Sequence, residues 1–213
     1  MKRRELKGGR HIVILCEGRT EEIAVKHFIS RQWEADGLKA VGLLPINLKG
    51  KLKDVFEYVP LYRRKPEVIA VFTLIDLYGI SHVQHNLDDE LSEKVTRVKN
   101  WLQDDFEPTF FRPHLSVHEI EAWLLAEGDC LAKRLNDTNI KPDRNAETKN
   151  FDNPPHRRIE VLFKSRHRDD YHKINDGTPL FQCLQFQPVH DTCQYFREFY
   201  DELKSVGLAA LNS

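Results

Sequence analysis

Apolar positions in the first half of the chain fall into short unbroken runs separated by longer stretches with helical spacing. Ile12–Cys16 is continuous, as is Val68–Ile75, and both are rich in β-branched residues. Runs of that kind predict strands buried on both faces. From Thr20 to about Trp33, the residues Ala24, Val25, Phe28, Ile29 and Trp33 recur at helical intervals. Ala40–Leu48 reads as a second strand, kinked or near an edge because Pro45 interrupts it. Leu52, Val55, Phe56 and Val59 predict a helix to about Pro60, and Leu91, Val95, Val98 and Leu102 a clear amphipathic one. A loop is expected around Ser81–Leu87. Thr109–Leu115 reads as a fourth strand that leads into a helix at His118. Strands alternating with helices predict an α/β fold whose mainly parallel four-stranded sheet has helices on both faces.

The pattern changes after residue 126. Asn136–Pro155 is polar and rich in Asn, Asp and Pro, which predicts a long loop. Helices are expected around Ile159–Phe163 and over His190–Val206, the latter turning Cys193, Phe196, Phe199 and Leu203 inward. The expected organisation is therefore an α/β domain over 1–126 and a helical C-terminal appendage over 127–213, packed on it.

Three strand ends carry acids. Glu17 follows the first strand and precedes Gly18, with Glu21 in the first turn of the next helix. Asp76 ends the strand Val68–Ile75. His118-Glu119-Ile120-Glu121 follows the fourth strand. In open α/β sheets ligands sit outside the carboxyl ends of strands. Carboxylates gathered there suit a hard cation such as magnesium. The plain alternative is helix starts favoured by the macrodipole. If residues 119 and 121 are both helical they point about 200° apart, which ranks Glu121 above Glu119. If Glu119 precedes the helix, both can serve. His118 is readable as a general base, a phosphate contact or an ordinary surface or core residue. A zinc pair of His114 and His118 has helical spacing, but Pro113 argues against a helix there.

Composition is that of an ordinary globular chain, 40% hydrophobic and 31% charged. With 32 basic and 33 acidic residues, bulk charge points to neither nucleic acid nor membrane. Local charge is less even. Lys2, Arg3, Arg4, Lys7 and Arg10 form a basic arm, and Arg157, Arg158, Lys164, Arg166, Arg168 and Lys173 a second basic region. Lys49, Lys51 and Lys53 follow the second strand, where a solvated loop is the simpler reading and a nucleic-acid groove the alternative. The four cysteines include no CxxC pair, and no disulfide or zinc framework is evident. No apolar stretch is long enough to span a bilayer, and a reducing cytoplasm is the expected compartment.

Cys16–Glu21, Asp76–Gly79 and His118–Ala122, in that order, resemble a small standalone bacterial family with the TOPRIM (topoisomerase–primase) fold, of unassigned function and related to OLD-type nucleases. Asp152–Arg158, Tyr171–Lys173 with Asp176-Gly177, and Cys193 with Phe196 extend the resemblance to roughly residues 10–205. It implies a TOPRIM-like sheet and a magnesium- or manganese-dependent nuclease. Glu17, Asp76 and Glu121 would be metal ligands, and Glu21, Glu119 and His118 auxiliary catalytic groups. Arg157, Arg158 and Lys173 would be phosphate contacts. The implied partners are nucleic acid, DNA or RNA, and an ATPase subunit in bacterial defence; no oligomeric state follows. Many TOPRIM enzymes carry Asp-x-Asp on the middle strand, where this chain has Asp76-Leu77-Tyr78. The rival readings are a non-catalytic partner or nucleic-acid-binding subunit, and another phosphoryl-transfer enzyme.

Overall fold

A computed structural model describes residues 9–77, 80, 89–103, 106–148, 153–166 and 170–212. The basic arm before Gly9, Tyr78, Gly79, the expected loop at 81–87, Asp152 and Arg168 lie outside them.

Strands β1 (Arg10–Cys16), β2 (Val41–Asn47) and β3 (Val68–Asp76) are all parallel, with β1 between the other two. β2 is the edge strand, where Pro45 removes a donor the ladder can spare. The sheet has five strands rather than four. The expected strand Thr109–Leu115 is two short pieces, β4 (Phe111–Arg112) and β5 (Leu115–Ser116), each parallel to β3. Pro113 has no N–H to give the ladder. Thr73 fills the gap from β3: its hydroxyl donates to His114 O (2.8 Å) and accepts from His114 N (2.9 Å). His114 Nε2 contacts Glu202 at 2.6 Å, so the residue is locked against a distant helix. It sits in an extended segment rather than on one helix with His118, which removes the basis of the zinc pair.

Side chains alternate across the sheet. Ile12, Ile14, Cys16, Phe72 and Leu74 enter one apolar cluster, and Val13, Leu15, Val71 and Ile75 enter another. The second face is covered by α3 (Val55–Arg63), preceded by a 3-10 turn at Leu52–Asp54, and by α4 (Leu91–Gln103). The first face is covered by α1 (Arg19–Ala24), a π-helical segment (Val25–Ile29), α2 (Ser30–Ala35) and α5 (Ala122–Glu127). Five further helices join them there: α6 (Asp129–Leu135), α7 (Pro155–Ser165), α8 (Gly177–Cys183), α9 (Phe186–Thr192) and α10 (Gln194–Leu211). The residue 126 boundary falls in the last turn of α5, and the first cluster takes side chains from both sides of it.

Three local expectations are corrected. The helix expected at His118 begins at Ala122, after extended and turn residues. The helix expected over His190–Val206 is α9 and α10, broken where Cys193 is extended (φ −96°, ψ 101°). Its inward set of Cys193, Phe196, Phe199 and Leu203 is buried as expected. Cys130 and Cys183 form a disulfide between α6 and α8 (Cα–Cα 5.8 Å). The two cysteines stand 53 residues apart, a spacing that carries no motif, and pairing cannot be read from spacing alone.

Two packing features make testable demands. Gly207 of α10 lies against Trp33, whose indole N–H is tied to Val41 O at 2.7 Å. A Cβ at 207 would stand 2.8 Å from Trp33 Cζ2, and the tied ring has little freedom to yield. Gly207→Ala should gain about 1 kcal/mol of helix propensity yet lose more to overpacking, for a net destabilisation of about 1–2 kcal/mol in urea melts. The second feature is Glu147, which accepts from Tyr195 N (3.0 Å) and Phe196 N (3.2 Å) at the start of α10. Burial pushes its carboxyl up to about 7 despite those bonds. A carboxyl that holds its proton more tightly folded than unfolded lowers stability as pH rises from about 4.5 through 7. The stability lost between pH 5 and pH 8 should therefore shrink in Glu147→Gln, by about 1–3 kcal/mol, measured by denaturant titration at both pH values.

Candidate metal and phosphate site

The parallel register decides which acids meet. Cys16 pairs with Leu74 of β3, and Ser116 of β5 pairs with Asp76. Glu17 therefore leaves β1 beside the end of β3, and the chain after Ser116 leaves beside Asp76. The carboxylate of Glu17 accepts from Asp76 N at 3.1 Å. Asp76 accepts from the Ser116 hydroxyl, and from Ile120 N at 3.2 Å. Glu21 turns back from α1 to accept from Gly18 N at 2.7 Å. Its neighbour Glu22 is instead bound to Arg19 (2.7 Å) and Lys26, which separates the two acids in role.

Glu119 precedes α5, so the helical ranking of Glu121 over Glu119 does not apply. Lys173 Nζ lies 3.6 Å from Glu119 and 3.4 Å from Glu121. Glu119 also accepts from His156 N (3.0 Å) and from His156 Nδ1 (2.5 and 2.7 Å to its two oxygens). Glu121 is fully buried, at 0% exposure, and neither of its oxygens accepts a well-aligned hydrogen bond among the described residues. His118 is buried at the same turn, and burial holds its imidazole below the usual range.

Electrostatics follow from this crowding. Burial and then Glu21 push Glu17 up to about 7. Burial likewise brings Glu121 to about 7, against the pull of Lys173. Asp76 is raised well above the carboxylate range by burial and by Glu21, Glu121 and Glu17. Burial draws the Lys173 ammonium down, but Glu121, Glu119 and Asp76 outweigh it and the net direction is up. Fully ionised, the group would hold more negative charge than one lysine can neutralise, and the upward shifts mean that protons share that task.

Sequence reasoning named Glu17, Glu21, Asp76, Glu119, Glu121 and Lys173, and the structure brings these together through the contacts above. It places Arg157 and Arg158 on α7, each with its own partner: Arg157 meets Glu160 at 2.9 Å and Arg158 meets Asp143. His156 was missed. Its signal is the Pro154-Pro155 pair, since a proline at the first helical position makes position 156 part of a helix N-terminus.

The donor set is chemically suited to a hard cation: all oxygen, over-charged, with one carboxylate buried and short of hydrogen bonds. As the side chains stand, no group of three or more His, Cys, Asp or Glu among the described residues is arranged to hold an ion. Glu17 and Asp76 are turned to backbone donors, and Glu119 and Glu121 to Lys173.

This is an α/β protein with a parallel sheet and an acidic carboxyl edge. The chain belongs to the family described as a domain of unknown function, DUF4276, whose profile matches residues 16–204. No curated protein matches it. Among solved structures it is similar to the C-terminal region of the Burkholderia pseudomallei OLD protein, with a TM-score of 0.46 and 17% identity over 93% of this chain and 98% of that one. It is also similar to the C-terminal region of the Xanthomonas campestris pv. campestris OLD protein, with a TM-score of 0.39 and 15% identity over 94% and 100%. Among the described residues no helix is long and apolar enough to cross a membrane.

Lys173→Met tests the charge balance. It leaves Glu119 and Glu121 facing each other without a cation. Removing one partner of a buried pair costs about 3–5 kcal/mol. Lys173 is 41% exposed, so solvent screening reduces this to about 1–2 kcal/mol. Urea melts of the metal-free protein at neutral pH should show the loss, and an unchanged midpoint would mean that Lys173 balances nothing.

Proposed function

We propose that this protein is a divalent-metal-dependent phosphodiester hydrolase of the TOPRIM type, acting on nucleic acid. The observation that carries the reading is Glu121, a fully buried carboxylate that lacks aligned donors among the described residues and lies near Glu119, Glu21 and Asp76. An excess of buried carboxylate is costly to fold, and a bound cation offsets that cost. Glu17, Asp76 and Glu121 are the proposed ligands of magnesium or manganese, with Glu21 and Glu119 auxiliary. When bound, the metal would supply charge stabilisation to phosphoryl oxygens and favour ionisation of water.

The protein's own groups do the rest. His156 fixes the orientation of Glu119, which can accept a proton from an attacking water. Lys173 lies against Glu119 and Glu121 and would turn its ammonium to a substrate phosphate. Arg157 and Arg158 are proposed phosphate contacts that must first exchange Glu160 and Asp143 for the substrate. His118 is a proposed auxiliary group behind Glu119. An ATPase partner and a role in bacterial defence belong to the same proposal and follow from the family resemblance; a cytoplasmic setting is proposed from the sequence reading alone. Tyr78 stands in place of a second Asp, which leaves Glu21 and Glu119 as the acids that can complete the set.

Asp76→Asn tests the reading. The amide oxygen can still accept from Ser116 and Ile120 N, while one of several clustered charges disappears. The variant should fold at least as stably as the parent, lose the rise in melting temperature that magnesium or manganese induces, and lose cleavage of DNA or RNA. A metal-induced shift that survives in Asp76→Asn rules out Asp76 as a ligand. A parent protein that shows neither shift nor cleavage supports the non-catalytic subunit instead.

A further inference from the structure

The carboxyl edge of the sheet has a second, basic half. β2 lies beside β1 in parallel register, with Asn47 opposite Cys16. The turn after β2 is therefore set about one strand spacing, ~4.8 Å, from the strand end that carries Glu17. Backbone bonds hook it there: Leu48 N donates to Cys16 O at 2.8 Å, and Gly50 N donates to Glu17 O at 2.8 Å. The turn contains Lys49, Lys51 and Lys53, all exposed. Among the described residues none of the three forms an ion pair, in contrast to Arg157, Arg158, Lys164 and Arg166 of α7 and its end, each of which is paired.

Its backbone is unusual as well. Lys49 and Gly50 both have positive φ, 55° and 73°. Left-handed backbone costs a lysine free energy, and such conformations persist where the surroundings enforce them, often at functional sites. The enforcement is visible: Lys49 N donates to Asn47 Oδ1 at 2.7 Å, and Gly50 N is bound to Glu17. The tight reversal holds the three lysines at the end of β2, next to the strand end that carries Glu17.

We propose that the Lys49–Lys53 turn is the grip for the nucleic-acid backbone, holding phosphates that neighbour the one at the acid cluster. This rests on the phosphodiester reading above and adds the substrate-binding face to it. The edge would then run from cations at the end of β2, through Glu17 and Asp76 at the centre, to Glu119, Glu121 and Lys173. A strand laid along that line meets unpaired positive charge first on the β2 side. Backbone contacts of this kind are indifferent to sequence and sensitive to salt.

The test measures binding of a labelled mixed-sequence DNA duplex, with an RNA hairpin in parallel, over a series of salt concentrations. The variant is Lys49→Asn with Lys51→Gln and Lys53→Gln. Asparagine tolerates the left-handed position, so the turn is retained. Its partner replaces Lys51 and Lys53 with arginine and keeps Lys49. The neutral variant should bind more weakly and show a salt slope smaller by about two to three, whereas the arginine variant should keep the parent slope. Metal-induced melting shifts should match the parent in both. A neutral variant with the parent's affinity and slope overturns this inference and leaves the metal reading standing. A parent that shows the metal shift yet binds neither nucleic acid also overturns it, and moves the site to smaller phosphoesters.

Discussion

Like charges buried together are the constraint on which this protein turns. Glu17, Glu21, Asp76, Glu119 and Glu121 repel one another when ionised, and burial with that crowding raises the carboxyls of Glu17, Glu21, Asp76 and Glu121. What opposes the repulsion comes from the whole chain. Backbone N–H groups of Gly18, Asp76, Ile120 and His156 each serve a carboxylate. Lys173 supplies the cation from beyond the long polar loop. Lys173, which lies well beyond residue 126 in the chain, is thus electrically part of the sheet edge. Packing joins the same parts: side chains of β1, β3 and α10 share one apolar cluster.

Topology does the gathering. A central β1 with β3 as neighbour puts two strand ends side by side, and the short β5 brings the chain round to deliver two more acids. β5 can end at the right height only because the polypeptide is allowed to break its ladder at Pro113 and His114. The Thr73 hydroxyl bridges that break, and Glu202 anchors it from α10. A continuous strand over the same residues would have no such adjustment.

Much of this is legible in the sequence. β1 and β3 show as unbroken apolar runs because both their faces are covered, and the acids at their ends stand out against that background. The edge position of β2 follows from Pro45. Less is legible where local signals compete. Thr109–Leu115 looks like one strand because its residues suit a strand, and only a missing N–H says otherwise. Residues 118–121 look helical because the helix that follows extends their spacing backwards. Read as helix, Glu119 points away from Glu121; read as preceding the helix, which the structure has, both reach Lys173. The Cys130–Cys183 pair depends on a contact between distant segments, which no local pattern encodes, and the prolines place His156 at a helix start without showing that Glu119 meets it. The lysines after β2 look like solvated surface until their register beside Glu17 is known.

The π-helical segment at Val25–Ile29 joins α1 to α2 without a break. Such a segment holds one residue more than an α-helix of the same turns would. One residue is about 100° of rotation, so the two ends of this helix run out of phase. That offset lets one rod answer two unrelated demands, aiming Glu21 at the acids from its first turn and seating Trp33 on Gly207 near its last. The segment works as a coupling between two shafts that need not share an angle. Sequence changes upstream of it can be tuned for chemistry while those downstream are tuned for packing, with neither set dragging the other round.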